Sequence, residues 1–226
     1  MKQTVFIAGT DTDVGKTRIA CGMLHKANQI GLRTMAMKPV AAGCESIDGE
    51  LRNGDALALQ AAMSLSLPYQ QLNPYALQKP ASPHIAADLE GKHITNQRLV
   101  GFTRGLMMQS YDLMLIEGAG GWRVPINRQE TLAGFAKTLK LPVVLVVGMR
   151  LGCLNHAMLT TEAIIADGLP LAGWVANQLD PNMPHYDKNI DYLARHIPAP
   201  CLGQVPWLDN PTADNVASYL DLSELI

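Results

Sequence analysis

The residues of this 226-residue chain best suited to chemistry stand near its start, as Gly9-Thr10-Asp11-Thr12-Asp13-Val14-Gly15-Lys16-Thr17. A glycine-rich turn that opens a helix gathers backbone N–H groups and a helix N-terminus around an anion. Lys16 is placed to reach the outer phosphates of a nucleotide, and the Thr17 hydroxyl to ligate Mg2+. The segment therefore predicts a phosphate cradle in which Asp13, Val14, Gly15, Lys16 and Thr17 meet the nucleotide. The common form of this loop has four residues between its glycines; here five separate Gly9 from Gly15.

Other polar residues interrupt apolar runs. Glu117 follows four apolar residues and precedes Gly118-Ala119-Gly120-Gly121-Trp122. A carboxylate there is costly unless it is paired or faces a ligand, so Glu117 is expected to bind the nucleotide's Mg2+. Lys38 ends a second apolar run at Pro39 and offers a cation for a phosphoryl or carboxyl oxygen in the transition state. Asp55 opens a helix-like segment and fits either first-turn capping or metal binding. Asn177 fits either adenine recognition through its amide or a turn ahead of Asp180-Pro181. Gly152-Cys153-Leu154-Asn155 joins a strand to a helix. Free N–H groups there suit a substrate carboxylate, while an ordinary junction capped by Asn155 is the alternative. The six histidines show no zinc-ligand spacing and the chain has no GxSxG motif. The expected chemistry is electrostatic: in-line attack on a γ-phosphate with its charge neutralised.

The elements that would position these groups alternate along the chain. Strand-like runs are expected at Thr4–Ala8, Thr34–Lys38, Asp112–Glu117, Pro142–Gly148, Leu171–Asn177 and Pro200–Val205. Helices are expected at Lys16–Ile30, Gly54–Leu65, Thr95–Gln109, Leu132–Leu139, Asn155–Asp167 and Tyr186–His196. Continuous apolar strands are buried on both faces. The expected fold is α/β, a doubly wound and mostly parallel sheet with helices on both faces, of P-loop NTPase type. Ligands of such sheets bind beyond the carboxyl ends of the strands, where the phosphate loop, Lys38, Glu117 and Asn177 all fall. Ala41 to Asn53 reads as a mobile active-site loop and Pro68 to Gly91 as irregular.

Length and the lack of any linker predict a single domain over residues 1–226. With 18 Lys+Arg against 20 Asp+Glu the net charge is −2, which argues against a nucleic-acid partner. Apolar runs such as Leu141 to Gly148 are too short to span a bilayer, so no membrane role is expected. Met1-Lys2-Gln3 shows no signal-peptide pattern, and Cys21, Cys44, Cys153 and Cys201 form no CxxC pair. Both features predict a cytoplasmic protein with reduced thiols.

Taken with Lys38-Pro39-Val40, Arg52-Asn53-Gly54-Asp55-Ala56, Ser82-Pro83-His84, Gly152-Cys153-Leu154-Asn155-His156-Ala157, Gly173-Trp174-Val175-Ala176-Asn177 and Gly203-Gln204-Val205-Pro206-Trp207, the phosphate loop and the Glu117–Trp122 segment resemble the dethiobiotin synthetase family over nearly the whole chain. The five-residue loop is itself a trait of that family. The resemblance implies that 7,8-diaminopelargonate, CO2 and Mg·ATP become dethiobiotin, ADP and phosphate. One substrate amine becomes a carbamate, whose oxygen attacks the γ-phosphate to give a carbamic–phosphoric anhydride; the second amine then closes a cyclic urea.

Carried over position by position, the resemblance implies that Lys16 contacts phosphates and that Thr17, Asp55 and Glu117 bind Mg2+. Thr12 and Lys38 would flank the carbamate and γ-phosphate, with Lys38, Lys16 and Thr12 catalytic. Gly118, Ala119 and Gly120 would lie beside the nucleotide, Asn177 would read adenine, and Pro206, Trp207 and Leu208 would line the base pocket. Lys38 and Ala42 would face the substrate. The family is a homodimer with substrate at the subunit interface, so Gly152, Cys153, Leu154 and Asn155 would hold the substrate carboxylate from the partner chain. Three positions depart from the family pattern; for the partner-chain tyrosine near the substrate tail, Tyr186 stands near the place but out of exact register. Ala42 replaces a serine, with Cys44 or Ser46 as substitute candidates, and Pro211-Thr212 occupies the stretch of an expected glutamate.

The alternative is a nucleotide-switch ATPase of the deviant-loop class, which acts through partner binding. Those proteins carry a second lysine near the first glycines of the loop, where this chain has Thr10, Asp11 and Thr12. Their basic face or amphipathic tail is also missing from Ala217 to Ile226. On the synthetase reading, Lys38→Gln folds normally and loses most turnover.

Overall fold

Six apolar runs pair into one sheet in the computed structural model, which describes residues 2–226. In chain order the elements are β1 (Gln3–Gly9), α1 (Lys16–Gln29), β2 (Thr34–Met37), β3 (Val40–Ala41), β4 (Glu45–Ile47), β5 (Glu50–Arg52), α2 (Gly54–Ala62), α3 (Tyr69–Leu72), β6 (Tyr75–Ala76), α4 (Pro83–Leu89), α5 (Asn96–Met107), β7 (Leu113–Gly121), α6 (Leu132–Leu139), β8 (Val143–Met149), α7 (Cys153–Ala166), β9 (Leu171–Gln178), α8 (Tyr186–His196), β10 (Cys201–Val205) and α9 (Ala213–Ala217).

The large sheet runs β10-β9-β8-β1-β7-β2, and every pair in it is parallel. All seven residues of β8 are buried, as are Val5 to Gly9 of β1. Strands covered on both faces need no polar alternation, which is why these runs are continuously apolar. Right-handed crossovers send α1 to one face on the way from β1 to β2, and α6, α7 and α8 to the other on the way from β7 out to β10. The packing agrees: α1 lies against α2 and α9, α5 against α6, and α7 against α8. β1 lies between β8 and β7 at the point where the winding reverses, so a crevice opens at its carboxyl end. The phosphate loop leaves β1 there.

Four local expectations change. β7 does not stop at Glu117 but continues to Gly121, because Gly9 pairs with Gly121 after a register shift. The glycines let that strand edge approach the phosphate loop: a Cβ on Gly121 would lie 3.7 Å from the Thr10 carbonyl oxygen. α7 begins at Cys153 rather than Asn155, with Gly152 as its N-cap at φ 93. The segment after Ala41 contains a hairpin, β4 on β5, turning at Asp48-Gly49, where both residues have positive φ (53 and 81). Asp-Gly is the sequence that such a two-residue turn favours. The Pro68–Gly91 stretch holds α3, β6 and α4, with β6 pairing to β3.

Candidate active site

The phosphate loop is held from three sides before any ligand arrives. The Thr10 N–H donates to Val146 O at 3.0 Å, and the Asp11 carboxylate accepts from the Thr12 N–H and from Arg150, at 2.8 and 2.6 Å. Asn177 Nδ2 donates to Val14 O at 2.8 Å from directly beneath the loop. Gly15 opens α1 at φ 88, and a Cβ there would stand 2.2 Å from Asn177 Nδ2. Both the backbone angle and the space therefore restrict this position to glycine. Lys16 is buried and donates to Asp11 O at 3.0 Å across the loop.

Opposite the loop, Lys38 follows β2 directly and points into a cavity of about 750 Å3 lined by Thr12, Lys16, Thr17, Asp55 and Glu117. Its ammonium donates to Asp55 Oδ2 at 3.0 Å and makes a short contact to Glu117 Oε1. Thr17 Oγ1 donates to the same Glu117 oxygen at 2.8 Å. Burial pulls the Lys38 pKa down, but Glu117 and Asp55 outweigh it and the net shift is upward. Asp55 moves down: its partial burial is overcome by the Lys38 charge beside it. Asp55 stands in the first turn of α2 but does not cap it. Asn53 caps α2 by accepting from the Ala56 N–H at 3.2 Å, which leaves the Asp55 carboxylate free to face Lys38.

Glu117 is 1% exposed, and its Oε2 has no hydrogen-bond partner. A buried carboxylate oxygen left unpaired is an incomplete site. Two carboxylates and a hydroxyl are hard oxygen donors, the set that Mg2+ takes while keeping waters and phosphate oxygens. Among the described residues no three His, Cys, Asp or Glu form a metal cluster.

Burial, and then repulsion from Lys38, lower the Lys16 pKa from 10.5 to about 8. The free protein holds less than a full proton there above pH 8, whereas phosphates would keep the ammonium charged. Nucleotide binding is therefore expected to take up a proton between about pH 8 and 10.5, with affinity falling by up to about tenfold per pH unit across that window. Calorimetric titration with ADP at pH 7 and 9, in buffers of different ionisation enthalpy, measures it. Equal affinity and no proton uptake at pH 9 would contradict the assignment.

The remaining expected residues divide into those in the cavity and those outside it. Asp13, Gly15, Ala42, Ala119 and Gly120 line it with Thr12, and a Cβ on Gly120 would lie 3.4 Å from Thr12 Oγ1. Val14 is buried, and the Gly118 carbonyl oxygen lies 3.4 Å from the Lys38 ammonium. Asn177 lies outside the cavity and is not in a turn: it is a fully buried strand residue paired with Gly148 and Val205. Its Oδ1 has no partner and remains free to accept. Pro206, Trp207 and Leu208 follow β10 at the same sheet end, where the Trp207 N–H donates to Gln178 Oε1 at 3.3 Å. Gly152, Cys153, Leu154 and Asn155 also lie outside the cavity; Cys153 is buried and Asn155 exposed. Leu151 beside them is 94% exposed.

Neither substitute for the missing serine is in place. Cys44 is buried and bonded to Ala41 O, and Ser46 is exposed on β4. The Ser82 hydroxyl, 3.1 Å from His84 Nδ1, does line the cavity with Pro80, Ala81 and Pro83. Thr212 caps α9 through the Asn215 N–H, which accounts for its presence there. Sequence reasoning missed Arg150, Tyr69 and Asn73. Only tertiary contacts mark them, since nothing local distinguishes an arginine after a strand or a tyrosine in a short helix.

Comparison with known proteins decides the family. A family model described as an AAA domain matches residues 3–215. The chain is 56% identical over 225 residues to the ATP-dependent dethiobiotin synthetase BioD of Cellvibrio japonicus, covering 100% of this chain and 98% of that one. It is 53% identical to the synthetase of that name from Pseudomonas aeruginosa, covering 97% and 96% of the two chains. This chain belongs to the dethiobiotin synthetase family. Solved structures place the family member among P-loop NTPases by fold. The septum site-determining protein MinD of Pyrococcus horikoshii, complexed with Mg-ADP, superposes with a TM-score of 0.58 at 15% identity, covering 98% of this chain and 87% of that one. A ParA family ATPase from Chlorobium tepidum gives 0.56 at 11% identity, covering 98% and 92%. The doubly wound parallel fold is therefore shared with these two proteins, at 11–15% sequence identity.

Proposed function

We propose that this protein is a ligase that consumes ATP to close 7,8-diaminopelargonate and CO2 into dethiobiotin, with ADP and phosphate released. The observation that carries the reading is the meeting of two buried ammonium groups, Lys16 and Lys38, in one cavity at the mouth of the phosphate loop. One cation suffices to hold phosphates; a second, on the far wall, fits a reaction in which a small anion attacks the γ-phosphate.

The first amine adds to CO2 and loses a proton, giving a carbamate. Lys38 and Thr12 orient the carbamate oxygen toward the γ-phosphorus, and Lys16 follows the charge that develops on the transferring phosphoryl group. The O–P bond forms as the bond to ADP breaks. The second amine then adds to the anhydride carbonyl, phosphate leaves with the C–O electron pair, and a proton is lost as the ring closes. The substrate supplies the nucleophile throughout, so the protein's contribution is position and charge. Thr17, Asp55 and Glu117 would hold Mg2+, which when bound neutralises charge on the β- and γ-phosphates. Asn177 Oδ1 would accept from the adenine amino group, with Pro206, Trp207 and Leu208 around the base.

The protein acts as a single-domain cytoplasmic homodimer in this reading. Gly152–Asn155 lie outside the cavity of their own chain, so in this reading they serve the site of the partner. No helix among the described residues is long and apolar enough to cross a membrane. With 13C-bicarbonate, ATP and the diamine, mass spectrometry is expected to find one labelled carbon in a cyclic urea. ATP turnover indifferent to diamine and bicarbonate would overturn the proposal.

A further inference from the structure

Lys38 lies just past the end of β2, which is the edge strand of the large sheet. A residue there has no neighbouring strand of that sheet on its outer side to fix its backbone. Instead its N–H donates to Leu72 O at 2.8 Å, and its carbonyl accepts from Asn73 Nδ2 at 2.7 Å. Asn73 Oδ1 accepts in turn from the Tyr69 hydroxyl at 3.1 Å. The Tyr69 oxygen accepts from the Asn53 N–H at 2.7 Å. Asn53 caps α2, whose first turn carries Asp55, and Asp55 accepts from the Lys38 ammonium at 3.0 Å. The circuit is closed: Lys38 backbone, Asn73, Tyr69, Asn53, α2, Asp55, Lys38 side chain.

Tyr69 and Asn73 are 6% and 2% exposed, and both hydrogen-bonding atoms of the Asn73 side chain are used. The Arg52 guanidinium covers the Tyr69 ring at 4.1 Å. Burial raises the Tyr69 pKa, which keeps the hydroxyl proton in place for Asn73. Neither residue lines the cavity.

We propose that Tyr69 and Asn73 are positioning residues for the reaction, tying the end of β2 to the start of α2 so that Lys38 and Asp55 meet at a fixed place on the cavity wall. The inference rests on the catalytic role proposed for Lys38. The brace grips the Lys38 backbone and leaves the ammonium free to exchange Asp55 for a substrate oxygen. Misplacement of a catalytic group by about 1 Å can cost on the order of a hundredfold in rate, and an unbraced edge-strand terminus is where such drift would occur.

Tyr69→Phe keeps the ring under Arg52 and removes the hydroxyl that joins Asn53 to Asn73. With sites counted by ADP titration, kcat per site is expected to fall roughly 10- to 100-fold, while KM for ATP and affinity for ADP stay within about twofold. In a Lys38→Gln background, followed by single turnover, the same substitution should cost less than about twofold, because the group being positioned is gone. Wild-type kcat, an equal loss of ADP affinity, or the same loss in both backgrounds would overturn the proposal. Should Tyr69→Phe not fold, Asn73→Asp is read in the same way: it keeps the acceptor for Tyr69 and drops the donor to Lys38 O. Full turnover in Lys38→Gln alone would instead refute the role of Lys38. A crippled Lys38→Gln beside a fully active Tyr69→Phe would refute only the brace.

Discussion

Lys38→Gln is expected to lose about 10²- to 10³-fold in turnover and, unlike a surface lysine substitution, to unfold at a lower temperature. The first loss follows from removing the cation that faces the attacking oxygen. The second follows from burial. The Lys38 and Glu117 side chains are 5% and 1% exposed, and the ammonium also serves Asp55. Removing one partner of a buried pair leaves the other charge uncompensated, at a typical cost of about 3–5 kcal/mol. The glutamine amide can still donate one bond, so the lower figure applies, and for a chain of this size about 3 kcal/mol corresponds to roughly 6–12 °C in melting temperature. Millimolar Mg2+ without nucleotide should restore part of that loss in the variant and add little to the wild type, whose carboxylates already hold a cation. Thermal melts with and without Mg2+ check the stability arm, and product formation checks the rate. An unchanged melting temperature would remove Lys38 from its place as counter-ion to Glu117; unchanged turnover would remove it from the chemistry.

Asn177→Ala is expected to weaken nucleotide binding in two separable ways. The side chain donates to Val14 O inside the phosphate loop and carries a free, buried Oδ1. Truncation leaves the Val14 carbonyl unpaired among buried atoms, at a cost of about 1–3 kcal/mol, and opens space beneath Gly15. Affinity for inorganic triphosphate, which has no base, should therefore fall by about tenfold through slackening of the loop. Affinity for ATP should fall by about a further tenfold through loss of the acceptor for the adenine amino group. Calorimetry with both ligands separates the effects. Equal losses for the two ligands would leave Asn177 a prop alone, and a loss for ATP only would leave it a base reader alone.

Much of the fold was legible because its signals are local. The continuous apolar run at Val143–Val147 and the glycine-rich turn after β1 read directly as a buried parallel strand and an anion cradle. The strand ends were less legible. β7 runs on to Gly121 because Gly9 of β1 is there to pair with it, and glycines carry no periodicity of their own. The hairpin after Ala41 had a local signal, Asp48-Gly49, that its polar and exposed flanks obscured. In the site, residue types identified Lys38 and Glu117 as candidates, yet the view of Lys38 as a purely catalytic group missed its second role. That role appears only when Glu117, 79 positions away, is brought against it in a buried setting.

By itself, then, the sequence determined the phosphate loop, the alternation of strands and helices, and the family. Each depends on which residues follow one another, and a covalent chain fixes that order. Tertiary structure decided that Asp55 is held by Lys38, 17 positions away, and that Asn177 is a buried strand residue holding a loop 163 positions away. It also decided that the Lys38 backbone hangs on a tyrosine and an asparagine from a segment that had looked irregular. These outcomes depend on which atoms meet after the strands pair and the helices cover them. A buried polar atom takes its role from the partner that satisfies it, and here those partners come from distant parts of the chain.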